Sequence, residues 1–228
     1  TELGCPGAGS GSDEMHRLWR GRGGRLTLTG LGLVLVVVGA LVIIFPVLGL
    51  LQRSGADQRA LQHWHNPGAA LSHQLPKDKV DPGTGGGTPA PLCASGSSDS
   101  EYALLAFPSL PGVEGVAASG GWGLLTERSV VHYGSSPAAG AQGNSIYAVH
   151  REPNFEPLGT LSVGDAITLT DRSCQKFTYQ ITQIWTESPS QVTQLQPLST
   201  GSWVTVITCT PLWVDSERLV LRARLEGS

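Results

Sequence analysis

The chain has 228 residues, a formal net charge of −3 and 40% hydrophobic residues. That size and composition fit one modest globular domain plus an additional segment. From the N-terminus, residues 1–25 form a polar tail with four arginines near its end, Arg17, Arg20, Arg22 and Arg25. Residues 26–51, LTLTGLGLVLVVVGALVIIFPVLGLL, carry no charge. At ~1.5 Å per residue they make roughly 39 Å of helix, against a hydrocarbon core of about 30 Å. Shortly after this run the basic residues are Arg53 and Arg59. The arginine asymmetry predicts a single-pass signal-anchor with the tail in the cytoplasm and everything beyond Leu51 outside the cell membrane. A cleaved signal peptide is the competing reading, with Ser54-Gly55-Ala56 as small residues for cleavage; its apolar core would span only about 7–15 residues.

Residues 52–100 read as an extracytoplasmic linker. Asp57 to Leu75 holds helix formers interrupted by Asn66-Pro67-Gly68, which predicts at most two short helical pieces. Pro76 to Asp99 has too little apolar surface to offset the entropy of ordering it, and predicts a tether with a reach of about 25–30 Å.

Residues 101–228 read as all-β. The runs YALLAF, SIYAVH, AITLT, FTYQITQIW, WVTVITC and RLVLRARL are short, apolar or alternating, and separated by turn residues, which predicts a barrel or sandwich. Little room is left between Leu110 and Leu124 for a further strand, so that edge is expected to be poorly formed. With seven Lys and Arg against eleven Asp and Glu this region has a net charge of −4, which argues against nucleic acid as partner. Strand parity is informative. Leu219, Leu221, Ala223 and Leu225 share one face, leaving Arg218, Arg222 and Arg224 on the other. His150 shares a face with Ile146 and Ala148, and Cys209 shares one with Thr205 and Ile207. His150, Cys209 and Arg218 each stand at the end of a predicted strand.

These residues resemble the sortase family of bacterial cell-surface cysteine transpeptidases. Thr205-Val206-Ile207-Thr208-Cys209 is similar to the T-L-x-T-C signature of that family, followed nine residues on by Arg218 in RLVLRARL. His132 to Arg151 resembles its G-N, apolar strand, His segment, and Leu161-Ser162-Val163-Gly164-Asp165 its L-x-x-G-D turn. Val149 stands where many members have glycine, and Leu212-Trp213 fits no single class, so the subclass is unassigned, with class D or E members as the nearest in kind. The resemblance implies a sortase-like closed β-barrel after one transmembrane helix, with His150, Cys209 and Arg218 as the catalytic trio and no metal or organic cofactor. It further implies cleavage of a Leu-Pro-x-Thr-Gly type sorting signal on secreted proteins and transfer of the acyl group to an amine of a peptidoglycan precursor or a pilin lysine. No second apolar span occurs up to Ser228, which on the same resemblance points away from pilin-polymerising members. Part of the substrate pocket is expected in the loop Glu187 to Ser202.

The chemistry asks for the same residue types. A thioester needs a cysteine nucleophile, a proton must move on and off a histidine, and an arginine stabilises a developing oxyanion while staying charged. Rival readings are a non-enzymatic adhesion module on a membrane stalk, with an unreactive Cys209, and an L,D-transpeptidase-like enzyme, in which histidine and cysteine usually lie close together in sequence. The outer region holds three cysteines on the oxidising side, so a Cys93–Cys174 bridge and a bridge through Cys209 are both open. Cys5 reads as a reduced thiol on the cytoplasmic side. His63 and His65 diverge on a helix and, with His73, lack the company a metal site needs. His132 is expected in a turn with a packing role, and Asp165 is expected to shape its own turn.

Overall fold

The computed structural model describes residues 15–66, 93, 94, 97, 99–191 and 193–227. Two compact units divide the chain at Leu50/Leu51. In the first, helix α1 (Met15–His65) begins, and its apolar stretch is long and apolar enough to cross a membrane. From Leu31 to Phe45 every side chain is exposed, Phe45 at 82%. A helix apolar on all sides with none of them covered by protein is suited to lipid rather than water.

The second unit holds the end of α1 and eight strands: β1 (Ala103–Ala106), β2 (Glu114–Gly120), β3 (Val130–Tyr133), β4 (Gly143–Val149), β5 (Ala166–Asp171), β6 (Lys176–Glu187), β7 (Ser202–Thr210) and β8 (Glu217–Leu225). They close into a barrel in the order β1-β2-β3-β4-β7-β8-β6-β5, as expected for the all-β reading. β2–β3 and β4–β7 are parallel, and the remaining pairs are antiparallel. Closure removes the exposed edges that a flat sheet of this length would present. The interior is filled by alternate residues of each strand, among them Leu105, Tyr147, Val149, Ile167, Tyr179, Val204, Val206 and Leu221. Phe155 and Leu158, from the loop after β4, plug one end of it.

β2 corrects the expectation of a poorly formed edge: it spans seven residues and pairs with both neighbours. Its sequence, EGVAASG, lacks the bulk that marks a strand, and the structure shows why it must. A Cβ at Gly115 would stand 2.6 Å from Val130 and 2.9 Å from Phe155, so only glycine lets the plug approach. His132 is likewise in a strand and not a turn, buried inside β3 and stacked on Tyr102 at 4.3 Å.

α1 also runs further than the two short pieces expected of Asp57 to Leu75, reaching His65 without a break, because Ala60 and Trp64 find cover against Leu104 and Val116 on the outer face of β1 and β2. Residues 67–92, with His73 and most of the expected tether, lie outside the described residues. Beyond them Cys93 is bonded to Cys174 in the β5–β6 turn, a link across 81 residues. That settles the open pairing and leaves Cys209 as a free thiol.

Candidate active site

The outer face of β4, β7 and β8 carries an apolar layer of its own. Ile146, Ile207 and Val220 form a second apolar layer there, with Trp122, Tyr133, Trp185 and Leu195 packed on top. The short 3-10 turn Trp122–Thr126 stands on one side and the loop after β6 on the other. Between them lies a groove of about 280 Å³ whose lining includes Trp122, Leu125, Ala148, Leu195, Ile207 and Arg218. The expected pocket loop contributes Pro189, Gln191, Gln194 and Leu195 to it.

Strand register brings the three sequence-predicted residues to one end of this groove. Val149 pairs with Thr208 across the parallel β4–β7 ladder, so the next residues, His150 and Cys209, are neighbours. Cys209 in turn pairs directly with Arg218 across β7–β8. Adjacent strands stand about 4.8 Å apart, so the three residues form one row on one face. Thr208 locks the register by donating its hydroxyl to the Val149 carbonyl at 3.0 Å.

Each member of the row is held from behind. The His150 amide donates to the Ser129 carbonyl at 2.9 Å, and its ring Nε2 lies 2.7 Å from the Leu125 carbonyl. A carbonyl only accepts, so Nε2 carries the proton and Nδ1 is the acceptor nitrogen of the neutral ring. Burial pushes the half-buried Cys209 thiol above its ordinary value; Arg218 pulls it down, Asp215 and Glu152 push it up, and Arg151 pulls it down. Thiol, not thiolate, is therefore the resting form at neutral pH. Arg218 is aimed by two carbonyls, those of Asp215 (3.1 Å) and Glu217 (3.0 Å), which accept from its Nη1.

One supporting residue escaped the sequence reading. Arg151, directly after His150, turns inward and is buried; its Nη1 donates to the Cys209 carbonyl at 3.2 Å and to Thr210 Oγ1 at 2.8 Å. A Cβ at Gly159 would lie 2.2 Å from its Nη2, so that glycine makes room for the guanidinium. The signal was parity: if His150 faces out, its neighbour faces in, and a charged residue there needs a reason.

The other titratable candidates lie elsewhere. His63 and His65 each contact a different carboxylate, Glu101 and Glu114, at 2.8 Å. No group of three metal-binding side chains occurs among the described residues. Asp165 shapes its turn as expected, accepting from the Ser162 amide at 2.7 Å and from the Ser109 hydroxyl at 2.8 Å, and these bonds hold its carboxyl below the usual range.

Comparison with known proteins bears on this arrangement. A family model described as Sortase domain matches residues 108–226. The fold is similar to that of a sortase D5 transpeptidase of Clostridium perfringens, 20% identical, covering 77% of this chain and 99% of that one with a TM-score of 0.53. It is also similar to Streptococcus agalactiae sortase C1, 24% identical, covering 56% of this chain and 68% of that one with a TM-score of 0.50. No curated protein sequence matches. The family match spans more than half of the chain, all but the first strand of the barrel and the whole of the row at the groove, and the chain belongs to the sortase family.

Proposed function

We propose that this sortase is a membrane-anchored cysteine transpeptidase in which Cys209 is the nucleophile, His150 the proton carrier and Arg218 the oxyanion donor. The observation that carries the reading is the register: three residues with complementary chemistry stand side by side on β4, β7 and β8, at the mouth of an apolar groove.

The arrangement supports the following steps. A peptide laid in the groove presents its scissile carbonyl to Cys209. As Sγ forms its bond to the carbonyl carbon, the thiol proton passes to Nδ1 of His150, which suits a thiol that rests protonated. Negative charge then collects on the carbonyl oxygen, where the Arg218 guanidinium supplies donors that need no proton exchange. Collapse breaks the peptide C–N bond, and the leaving amine takes the proton back from His150. An acceptor amine attacks the thioester, gives its proton to His150, and leaves as an amide while Cys209 regains the thiol. The substrate class is a secreted protein with a Leu-Pro-x-Thr-Gly type signal, and the acceptor a cell-wall precursor amine or a pilin lysine. The reaction takes place outside the cell, with α1 as the anchor.

The test uses the full chain with a pool of peptides carrying such motifs and a small amine. Turnover and a thioester adduct on Cys209, visible by mass spectrometry, are expected. Cys209→Ala loses both. Turnover that persists in Cys209→Ala would overturn the assignment.

A further inference from the structure

His150 is positioned by a segment that is itself tied to the helix end. The turn and the residues that follow it, Trp122 to Ser129, hold it at two points: the Leu125 carbonyl for the ring and the Ser129 carbonyl for the amide. The same Ser129 amide donates the other way, to both carboxylate oxygens of Asp57 in α1, each at 3.2 Å. Asp57 also accepts from Arg128 Nε at 3.1 Å. Arg128 spends its remaining reach on the carbonyls of Ser100 (2.6 Å) and Val116 (2.7 Å). Asp57, Arg128 and Ser129 are all buried.

We propose that Asp57 is a positioning residue for His150, so that the docked end of α1 sets the geometry of the catalytic row. The proposal rests on His150 being catalytic. The physical basis is the cost of an uncompensated charge. A buried carboxylate is tolerated because Arg128 neutralises it and the Ser129 amide completes its hydrogen bonding. Without it, Arg128 is left as a buried cation without its carboxylate and Ser129 with an orphaned donor. Both relax by moving residues 128 and 129, and the Ser129 carbonyl that fixes His150 moves with them. The link is one residue long: the amide nitrogen of Ser129 bonds to Asp57 and its carbonyl accepts from the His150 amide. A barrel domain that begins at Glu101 lacks this contact altogether.

The experiment compares full-length variants in turnover of a Leu-Pro-x-Thr-Gly peptide. Asp57→Asn keeps the shape and removes the charge. The expected result is a kcat lower by about tenfold to a hundredfold, the size of a misplacement near 1 Å, with KM unchanged. In proton NMR the His150 Nε2 proton, held by the Leu125 carbonyl in the parent protein, is expected to broaden or disappear in the variant. Trp64→Ala is the control: it loosens the same helix in its apolar contact while leaving the Asp57 bonds, and is expected to keep kcat and the NMR signal at a temperature where it is folded. If Asp57→Asn does not fold, Asp57→Leu combined with Arg128→Met removes both charges and still leaves the Ser129 amide without its carboxylate, and a smaller fall in kcat is expected. An unchanged kcat in the folded Asp57 variant, or equal losses in Asp57→Asn and Trp64→Ala, overturns the proposal. His150→Ala, run alongside, separates the two layers: if it keeps turnover the catalytic assignment is wrong, whereas if it loses turnover and Asp57→Asn does not, the positioning role alone is wrong.

Discussion

Arg218 is the residue whose environment says most about its work. It pairs with Cys209 across the ladder, faces away from the core and is braced by two backbone carbonyls, so its loss removes no core packing. Arg218→Ala is therefore expected to change stability by no more than about 0.5 kcal/mol. Turnover should fall by about 10² to 10³, as for other oxyanion donors. Arg218→Lys keeps the charge without the planar fork and should recover part of that loss. Peptide kinetics beside a denaturant titration check both halves, and an unfolded Arg218→Ala or one with full activity would refute them. The common face of His150, Cys209 and Arg218 was legible because parity is a local property: two or three neighbours decide which way each points. Arg151, Asp57 and Arg128 were not, since what gives them a role is a partner 58 to 72 residues away.

Among the strands, those with bulky alternation could be read directly, and the two that escaped explain themselves. β2 carries a glycine, Gly115, where Phe155 and Val130 leave no room for a Cβ, and β3 is only four residues long with a histidine in its middle. That histidine makes a prediction for the element. His132 lies between Ser119 (Nδ1, 3.0 Å) and Ser136 (Nε2, 3.1 Å) and against Tyr102 and Tyr147. Burial holds it below its ordinary value, partly offset by the Pro137 carbonyl. With the folded value depressed, its contribution to stability is present above the unfolded value of about 6.5 and is lost as pH falls through the folded one. Melting temperature should therefore decline on acidification below about pH 6.5, and His132→Gln should flatten that slope while lowering stability at neutral pH. Identical slopes in the two proteins would remove His132 from the account.

At the scale of the molecule, the proposed topology has a direct check. Protease added to intact cells should remove the barrel and leave the arginine-rich tail protected, whereas a soluble form beginning near residue 57 would mark the apolar run as a cleaved leader. The parallel pairing of β4 with β7 has a consequence for how the enzyme comes into being. Parallel neighbours cannot be joined by a hairpin, and here the crossover from His150 to Ser202 carries two other strands and the groove loop. β7 slots between β4, already made, and β8, still to come. A chain made N-terminus first thus presents His150, the proposed base, well before Cys209, the proposed nucleophile, and Cys209 before Arg218, the proposed oxyanion donor. On the proposed assignment of His150, Cys209 and Arg218, the row would be complete only once β8 has taken its place beside β7.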